Sequence, residues 1–186
     1  MNALRFIQEY MKNPSEVGAV MPSSRQLARQ MIEAVDFQTA SCMVEYGPGT
    51  GVFTDELVRN KRPGTTLLLL ERNADFCKEL EKKYHHVPNM YVIHDSAAEV
   101  SQYLAKYGYS KADYIISGLP FTSLPAGVSR QILQQTIQVL GEEGKFITFQ
   151  YTKVKQKFFH SYFPCIHTKR VYWNVPPAFV FTCSKQ

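Results

Sequence analysis

The chain has 186 residues and a mass of 21.3 kDa, the size of one domain able to bury roughly 70% of its unfolded surface. With 45% apolar and 20% charged residues, it has the composition of a folded globular protein, which excludes disordered and fibrous classes. No apolar run approaches the ~18 residues of a membrane-crossing helix, and Met1-Asn2-Ala3-Leu4-Arg5 lacks the basic-then-apolar profile of a secretory signal. Four scattered cysteines (Cys42, Cys77, Cys165, Cys183) form no CxxC pair, which suits a reducing cytosol better than a disulfide or zinc framework.

The formal net charge of +5 is unevenly spread. Residues 1–143 carry 14 Lys and Arg against 16 Asp and Glu. Residues 144–186 carry seven cations (Lys145, Lys153, Lys155, Lys157, Lys169, Arg170, Lys185), no acid, and 11 of the 24 aromatic residues, Trp173 included. Such asymmetry points to an anionic partner, nucleic acid or membrane. The plainer alternative is a solvated basic edge on a β-rich terminus.

In chain order, residues 3–12 come first. At 100° per residue, Leu4, Phe6, Ile7, Tyr10 and Met11 gather on one side, and Arg5, Gln8, Glu9 and Lys12 on the other. This amphipathic helix either packs on its own domain or lies in a membrane interface. Helical patterns follow over 23–35, 52–61, 74–84, 97–107, 126–140 and 154–163. They alternate with strand candidates at 42–46, 66–71, 90–94, 113–117, 145–151, 168–173 and 178–182. Strand alternating with helix predicts an α/β fold, a mostly parallel seven-stranded sheet with helices on both faces. Residues 174–177 are too few for a crossover helix, so the last two strands form an antiparallel pair. That is the Rossmann-like architecture of class I methyltransferases. The division expected is an N-terminal helix and lid segment, 1–24, ahead of one domain, 25–186.

The motifs that carry chemistry fall at strand ends. Val44-Glu45-Tyr46-Gly47-Pro48-Gly49-Thr50-Gly51-Val52-Phe53-Thr54 runs from an apolar strand through a glycine turn into a helix. Glycines at 47, 49 and 51 let the backbone approach a ligand closely. A dinucleotide fingerprint needs its third glycine at position 52, which is Val52. GxGxG after an acid is instead similar to motif I of S-adenosylmethionine-dependent methyltransferases. Glu71, followed by Arg72 and Asn73, ends the second strand, where a carboxylate can accept ribose hydroxyls. Asp95, in His94-Asp95-Ser96-Ala97, follows the third strand, where a carboxylate can accept from an adenine amino group. Singly, each acid also reads as a helix cap or a solvated loop residue.

The fourth strand ends in Ser117-Gly118-Leu119-Pro120-Phe121-Thr122-Ser123-Leu124-Pro125. This is the position of the N/D-P-P-Y/F-type loop of amino-methylating enzymes. Its backbone carbonyls would meet the acceptor amine, and the face of Phe121 would stabilise a cationic amine or sulfonium. A proline turn capping the next helix is compatible with the same residues. His85-His86 reads as a solvated helix end, the histidines and cysteines show no zinc spacing, so no metal is expected, and no Walker lysine follows the glycines.

Lys12-Asn13-Pro14 with Val17-Gly18-Ala19-Val20-Met21-Pro22-Ser23-Ser24 resembles the opening of the small soluble phospholipid N-methyltransferases. The glycine motif, the Ser117-Gly118-Leu119-Pro120 loop and Asn174-Val175-Pro176-Pro177-Ala178 are similar to that family's other motifs. The resemblance runs from about Phe6 to Val180. It implies methyl transfer from S-adenosylmethionine, leaving S-adenosylhomocysteine, to the amine of phosphatidylethanolamine or a similar lipid. Cofactor residues on this resemblance are Glu45 to Gly51, Phe53, Thr54, Glu71 to Asn73, Asp95 to Ala97 and Ser117. The amine would be met by Ser117 to Phe121. Membrane and substrate contacts would come from Leu4, Phe6, Ile7, Tyr10, Met21, Pro22, Ser23, Lys153, Lys155 and Lys157. The implied enzyme is cytoplasmic and peripheral, docked on the inner face of an anionic membrane, with phospholipid rather than nucleic acid as its partner. Tyr46 replaces an aliphatic residue of the family pattern, and His94-Asp95-Ser96-Ala97 replaces Gly-Asp-Ala.

Two other functions use the same motifs. An RNA adenine N-methyltransferase of the dimethylase type shares the cofactor fold and would use the basic segment on phosphates. Its loop reads Asn-Leu/Ile-Pro-Tyr/Phe, whereas position 118 here is Gly, and after the last strand no helical target-recognition domain is expected. A non-catalytic binding module is opposed by the intact glycine loop and acids.

Overall fold

A computed structural model describes residues 22–172 and 177–186. The helix expected over 3–12, with Leu4, Phe6, Ile7 and Tyr10, lies outside the described residues, as do Met21 and 173–176; the same holds for the side chains of Pro22 and Ser23. The described chain runs α1 (Pro22–Ile32), β1 (Cys42–Tyr46), α2 (Val52–Asn60), β2 (Thr66–Glu71), α3 (Ala74–Tyr84) and β3 (Met90–His94). A 3-10 turn (Ala97–Glu99) leads into α4 (Val100–Lys106), β4 (Ala112–Ser117), α5 (Ala126–Val139), β5 (Leu140–Gln150), α6 (Gln156–His160), β6 (Cys165–Val171) and β7 (Ala178–Ser184).

The strands form one sheet in the order β3-β2-β1-β4-β5-β7-β6. The first five pair in parallel, and β7 pairs antiparallel with both β5 and β6. β1 and β2 are buried at every position, because a central parallel strand is covered on both faces and reads as a continuous apolar run. Alternate side chains serve opposite layers. Val44, Tyr46, Leu68 and Leu70 meet Leu104, Ile132, Leu133 and Phe159 of α4, α5 and α6. Met43, Leu67 and Leu69 meet Leu27, Met31, Leu57 and Leu80 of α1, α2 and α3. β6, at one edge, exposes His167, Lys169 and Arg170, charged and polar groups that discourage pairing with another strand. The chain leaves β1 for β2 on one side and returns to β4 on the other. Their carboxyl ends therefore flank the switch point where such sheets bind ligands.

The fold is the expected one, with shifted boundaries. β5 begins at Leu140, not 145. Gly141-Glu142-Glu143-Gly144 breaks the apolar alternation, and the register with β4 slips there, from Ala112↔Leu140 to Tyr114↔Lys145. β6 begins at Cys165, where pairing with Ser184 carries residues whose pattern alone is weak. The helix expected over 154–163 contracts to α6.

Phe121 corrects a sequence expectation. Its ring is fully buried, not turned to a substrate. It packs edge-on to Phe146 at 6.2 Å and to Phe159 at 5.4 Å, while Phe163 stacks on Phe146 at 5.5 Å. The Leu119–Phe121 hydrogen bond folds the chain inward, and an aromatic core gains more from such a ring than exposure would offer. Phe121→Ala is therefore expected to act on stability, costing about 3–5 kcal/mol, with Phe121→Leu much milder. Urea unfolding of both variants measures this.

Candidate functional site

The glycine loop leaves β1 along a path that two of its glycines make possible. Gly51, at φ 86°, sits under the side chains of α3, where a Cβ would fall 2.7 Å from the Tyr84 hydroxyl and 3.2 Å from Leu80. Gly47, at φ 62°, carries Leu119 above it, 2.8 Å from where a Cβ would be. No other side chain at either position fits both the backbone and the space. Beside Gly49, by contrast, nothing lies within 4 Å, so the crest of the loop faces open space.

Three acids surround this crest in different states. Glu71 is a bridge: its Oε2 accepts the Gly49 amide at 3.1 Å and its Oε1 the Asn73 amide at 2.8 Å. A carboxylate offers about four lone-pair sites, so capacity for further donors remains. Asp95 accepts the Tyr103 hydroxyl at 2.7 Å and the Ser96 amide at 2.7 Å. Those two bonds, Tyr103 first, hold its carboxyl below the ordinary range, so it is ionised at neutral pH. Glu45 is fully buried. Its Oε2 accepts from Thr54 Oγ1 at 2.7 Å, while Oε1 is buried with no partner. Burial pushes its carboxyl up to about 8; the Thr54 bond opposes this and Glu71 adds repulsion.

Between β2, β3 and α5 opens a cleft of about 430 Å³, lined by Arg72, His94, Asp95, Ser96, Val128 and Gln131. The group expected here fits the residues present. The space beside Gly49 and the cleft at Asp95 offer room for S-adenosylmethionine, and the unpartnered Glu45 oxygen leaves one polar atom behind the loop still to be met. Glu71 would hold its ribose, Asp95 its adenine, and Glu45 its amino acid end.

The acceptor loop closes over the same point. The Gly118 amide donates to the Tyr46 carbonyl at 2.9 Å, and a Cβ on Gly118 would meet the Gly47 carbonyl at 2.8 Å. Ser117 Oγ accepts the Leu119 amide at 3.2 Å, and Gln150 Nε2 donates to the Leu119 carbonyl at 3.3 Å. The Pro120 carbonyl accepts from the Ser123 and Leu124 amides, making the proline turn.

Several residues named from the sequence serve the frame. The Tyr46 ring is buried, its hydroxyl 3.3 Å from Thr136 of α5, so only its backbone meets the loops. Asn73 caps α3 by accepting the Asp75 and Phe76 amides, and Ser96 caps the 3-10 turn through the Ala98 amide. Ala97 is buried in the core, and Pro48 is buried under the loop. Phe53 meets Phe149 edge-on at 5.6 Å. Thr50 lies half-buried in the loop. Lys153 stands 5.1 Å over the Phe179 ring and Lys155 4.9 Å over Phe158, while Lys157 is exposed on α6. Sequence reasoning passed over Gln150, Tyr103, Val128 and Gln131, since nothing local distinguishes them from ordinary strand and helix residues.

Comparisons with known proteins agree with this geometry. The model of the ribosomal RNA adenine dimethylase family matches residues 12–170. An ornithine lipid N-methyltransferase of Singulisphaera acidiphila is 29% identical over 180 residues, 96% of this chain and 93% of that protein. A ribosomal RNA small subunit methyltransferase A of Mycoplasma mycoides is 28% identical over 131 residues, 69% of this chain but 46% of its own length. The chain thus aligns with less than half of that relative. Among solved structures, an O-methyltransferase from Bacillus cereus superposes with a TM-score of 0.69 at 13% identity, covering 96% of this chain and 88% of its own, a likeness of fold.

Two outcomes test the site. Glu71→Ala removes both loop bonds and is expected to weaken S-adenosylhomocysteine binding at least about tenfold, one charged hydrogen bond's worth, in calorimetric titration. Glu45 is neutral in the fold where the unfolded chain ionises it. Its contribution to stability is therefore present below pH about 4.5 and is lost as pH rises towards about 8. Glu45→Gln is expected to flatten that part of the profile in thermal melts without ligand.

Proposed function

This chain belongs to the ribosomal RNA adenine dimethylase family, and from that premise we propose that it methylates the amine of a lipid headgroup rather than an RNA base. The coarser statement is established: it is a class I S-adenosylmethionine-dependent methyltransferase. The observation that carries the finer one is the seat of Gly118. The dimethylase-type loop has an Asn there, and in this chain a Cβ at 118 would meet the Gly47 carbonyl at 2.8 Å. With the two loops bonded as they are, no amide side chain can project from that position towards an adenine. Supporting this, the similarity to the ornithine lipid enzyme spans nearly the whole of both chains. Phosphatidylethanolamine and ornithine lipids both offer the primary amine the reading requires.

S-adenosylmethionine, when bound, supplies an electrophilic methyl carbon. The residues of this chain bind, align and dehydrate. Glu71 and Asp95 would anchor the cofactor's nucleoside, while Glu45, buried with one oxygen unpartnered, would lie behind the glycine loop nearest its amino acid end. The backbone of Ser117 to Pro120 receives the amine beside the glycine loop, on a turn fixed by Gln150. In-line displacement at carbon gains chiefly from this fixed alignment and from exclusion of water. The amine must give its proton to solvent before it reacts, and desolvation beside Leu119 and the buried aromatic cluster disfavours the ammonium. Access requires contact with the cytoplasmic face of a membrane, and the amphipathic pattern of 3–12 suits that role.

A second reading, RNA adenine N-methylation, draws on the family match and on the ribosomal relatives. The two separate cleanly by product. Radiolabelled S-adenosylmethionine incubated with vesicles containing phosphatidylethanolamine or ornithine lipid should label the lipid fraction and leave ribosomal RNA unlabelled. Label in RNA alone would replace this proposal with the second reading.

A further inference from the structure

Resting on the lipid-amine reading, we propose that the rim formed by the carboxyl ends of β5 and β6 and the amino end of β7 is a docking surface for an anionic bilayer, built from Lys153, Val154, Lys155, Arg170, Tyr172 and Phe179. Among the described residues the exposed large apolar side chains are Tyr91, Val154 and Tyr172, and the last two belong to this rim, 78% and 69% exposed. Pairing brings the rim together. Phe179, the second residue of β7, stands opposite Gln150 of β5 and Arg170 of β6. Lys153 Nζ stands 5.1 Å from the Phe179 ring centroid and the Arg170 guanidinium 5.6 Å from it, with Tyr172 at 4.9 Å from Arg170. Cations resting on aromatic rings, with an aliphatic side chain held out between two lysines, form an amphipathic edge of the kind that settles at the headgroup boundary.

Charge names the occupant. Residues 144–186 contain no acid, and Lys169, the neighbouring cation, is already paired with Glu33 at 2.6 Å, whereas Lys153, Lys155 and Arg170 rest on rings. A single-stranded nucleic acid would want open aromatic faces for its bases. Here Lys153 and Arg170 both occupy the neighbourhood of the Phe179 ring, and Val154 offers a base nothing to stack on. A bilayer uses all of these groups at once: phosphates for the cations and the acyl boundary for Val154 and Tyr172.

The rim also sets orientation. Gln150, three residues before Lys153, holds the Leu119 carbonyl of the acceptor loop. A bilayer seated on the rim therefore lies beside that loop, and a headgroup amine reaches it without the lipid leaving the membrane.

Sedimentation with phosphatidylglycerol vesicles at low salt tests the surface, with S-adenosylhomocysteine affinity and melting temperature as controls for folding. The paired change Lys153→Gln with Arg170→Gln is expected to lower the vesicle partition coefficient roughly 30-fold. Val154→Ser with Tyr172→Ser is expected to lower it roughly tenfold, both with unchanged controls. Folded variants that sediment as the parent does would overturn the docking surface, as would a parent that ignores vesicles and binds structured RNA. Loss of vesicle binding in the variants, without methyl transfer to any aminolipid by the parent, would uphold the surface and overturn the substrate reading alone. Methyl transfer to lipid by the parent with undiminished rim variants would do the reverse.

Discussion

Two loops meet at the switch point of the sheet with no side chain between them, and the rest of the site depends on that contact. The Gly118 amide donates to the Tyr46 carbonyl at 2.9 Å, and the Gly47 carbonyl occupies the space a Cβ of Gly118 would need. Leu119 in turn covers Gly47. The glycine loop and the loop after β4 are thus joined backbone to backbone. Methyl transfer needs the attacking and leaving atoms in line, and a joint without a flexible side chain in it suits that demand. The aromatic layer beneath, with Phe121, Phe146, Phe159, Phe163 and Phe181 all buried, holds that piece from below.

Electrostatics divides the molecule into an acidic crevice and a basic rim. Glu45, Glu71 and Asp95 all stand at the carboxyl ends of the first three strands. Burial pushes the Glu45 carboxyl up and Glu71 beside it adds to that push, so Glu45 stays protonated in the fold, whereas Asp95, held by Tyr103 and Ser96, is ionised. From the middle of β5 onwards the sign reverses, with seven cations and no acid after residue 143. Charge of opposite sign on neighbouring regions suits a cationic cofactor at the one and, on the reading proposed above, an anionic surface at the other.

The proteins similar to this chain bear names with very different acceptors. A ribosomal RNA methyltransferase and an ornithine lipid N-methyltransferase are both similar to this chain, over 69% and 96% of its length. What they can share is the cofactor half: glycine loop, strand-end acids and the switch point. On the reading proposed above, acceptor choice rests on Gly118 and Leu119 of the second loop and on the surface at the ends of β5, β6 and β7.

The sequence by itself determined the order of strands and helices, the antiparallel end of the sheet, the glycine turn and the three acids that serve it. Each of these is written in local patterns: apolar runs for buried parallel strands, a four-residue link too short for a helix, and Gly, Glu and Asp at strand ends. The tertiary structure decided which way side chains turn once the elements pack. Phe121 has the sequence of a substrate platform, yet its ring goes to the aromatic core, because burial of that much apolar surface outweighs any gain at the rim. Asn73 and Ser96 stand beside the acids but spend their oxygens on helix ends, where unpaired amides would otherwise remain. Gln150 and Tyr103 carry no local signal at all. They matter only because pairing of β5 with β4 and packing of α4 under β3 bring a donor to a loop carbonyl and to a carboxylate, contacts set by long-range geometry rather than by neighbours in the chain.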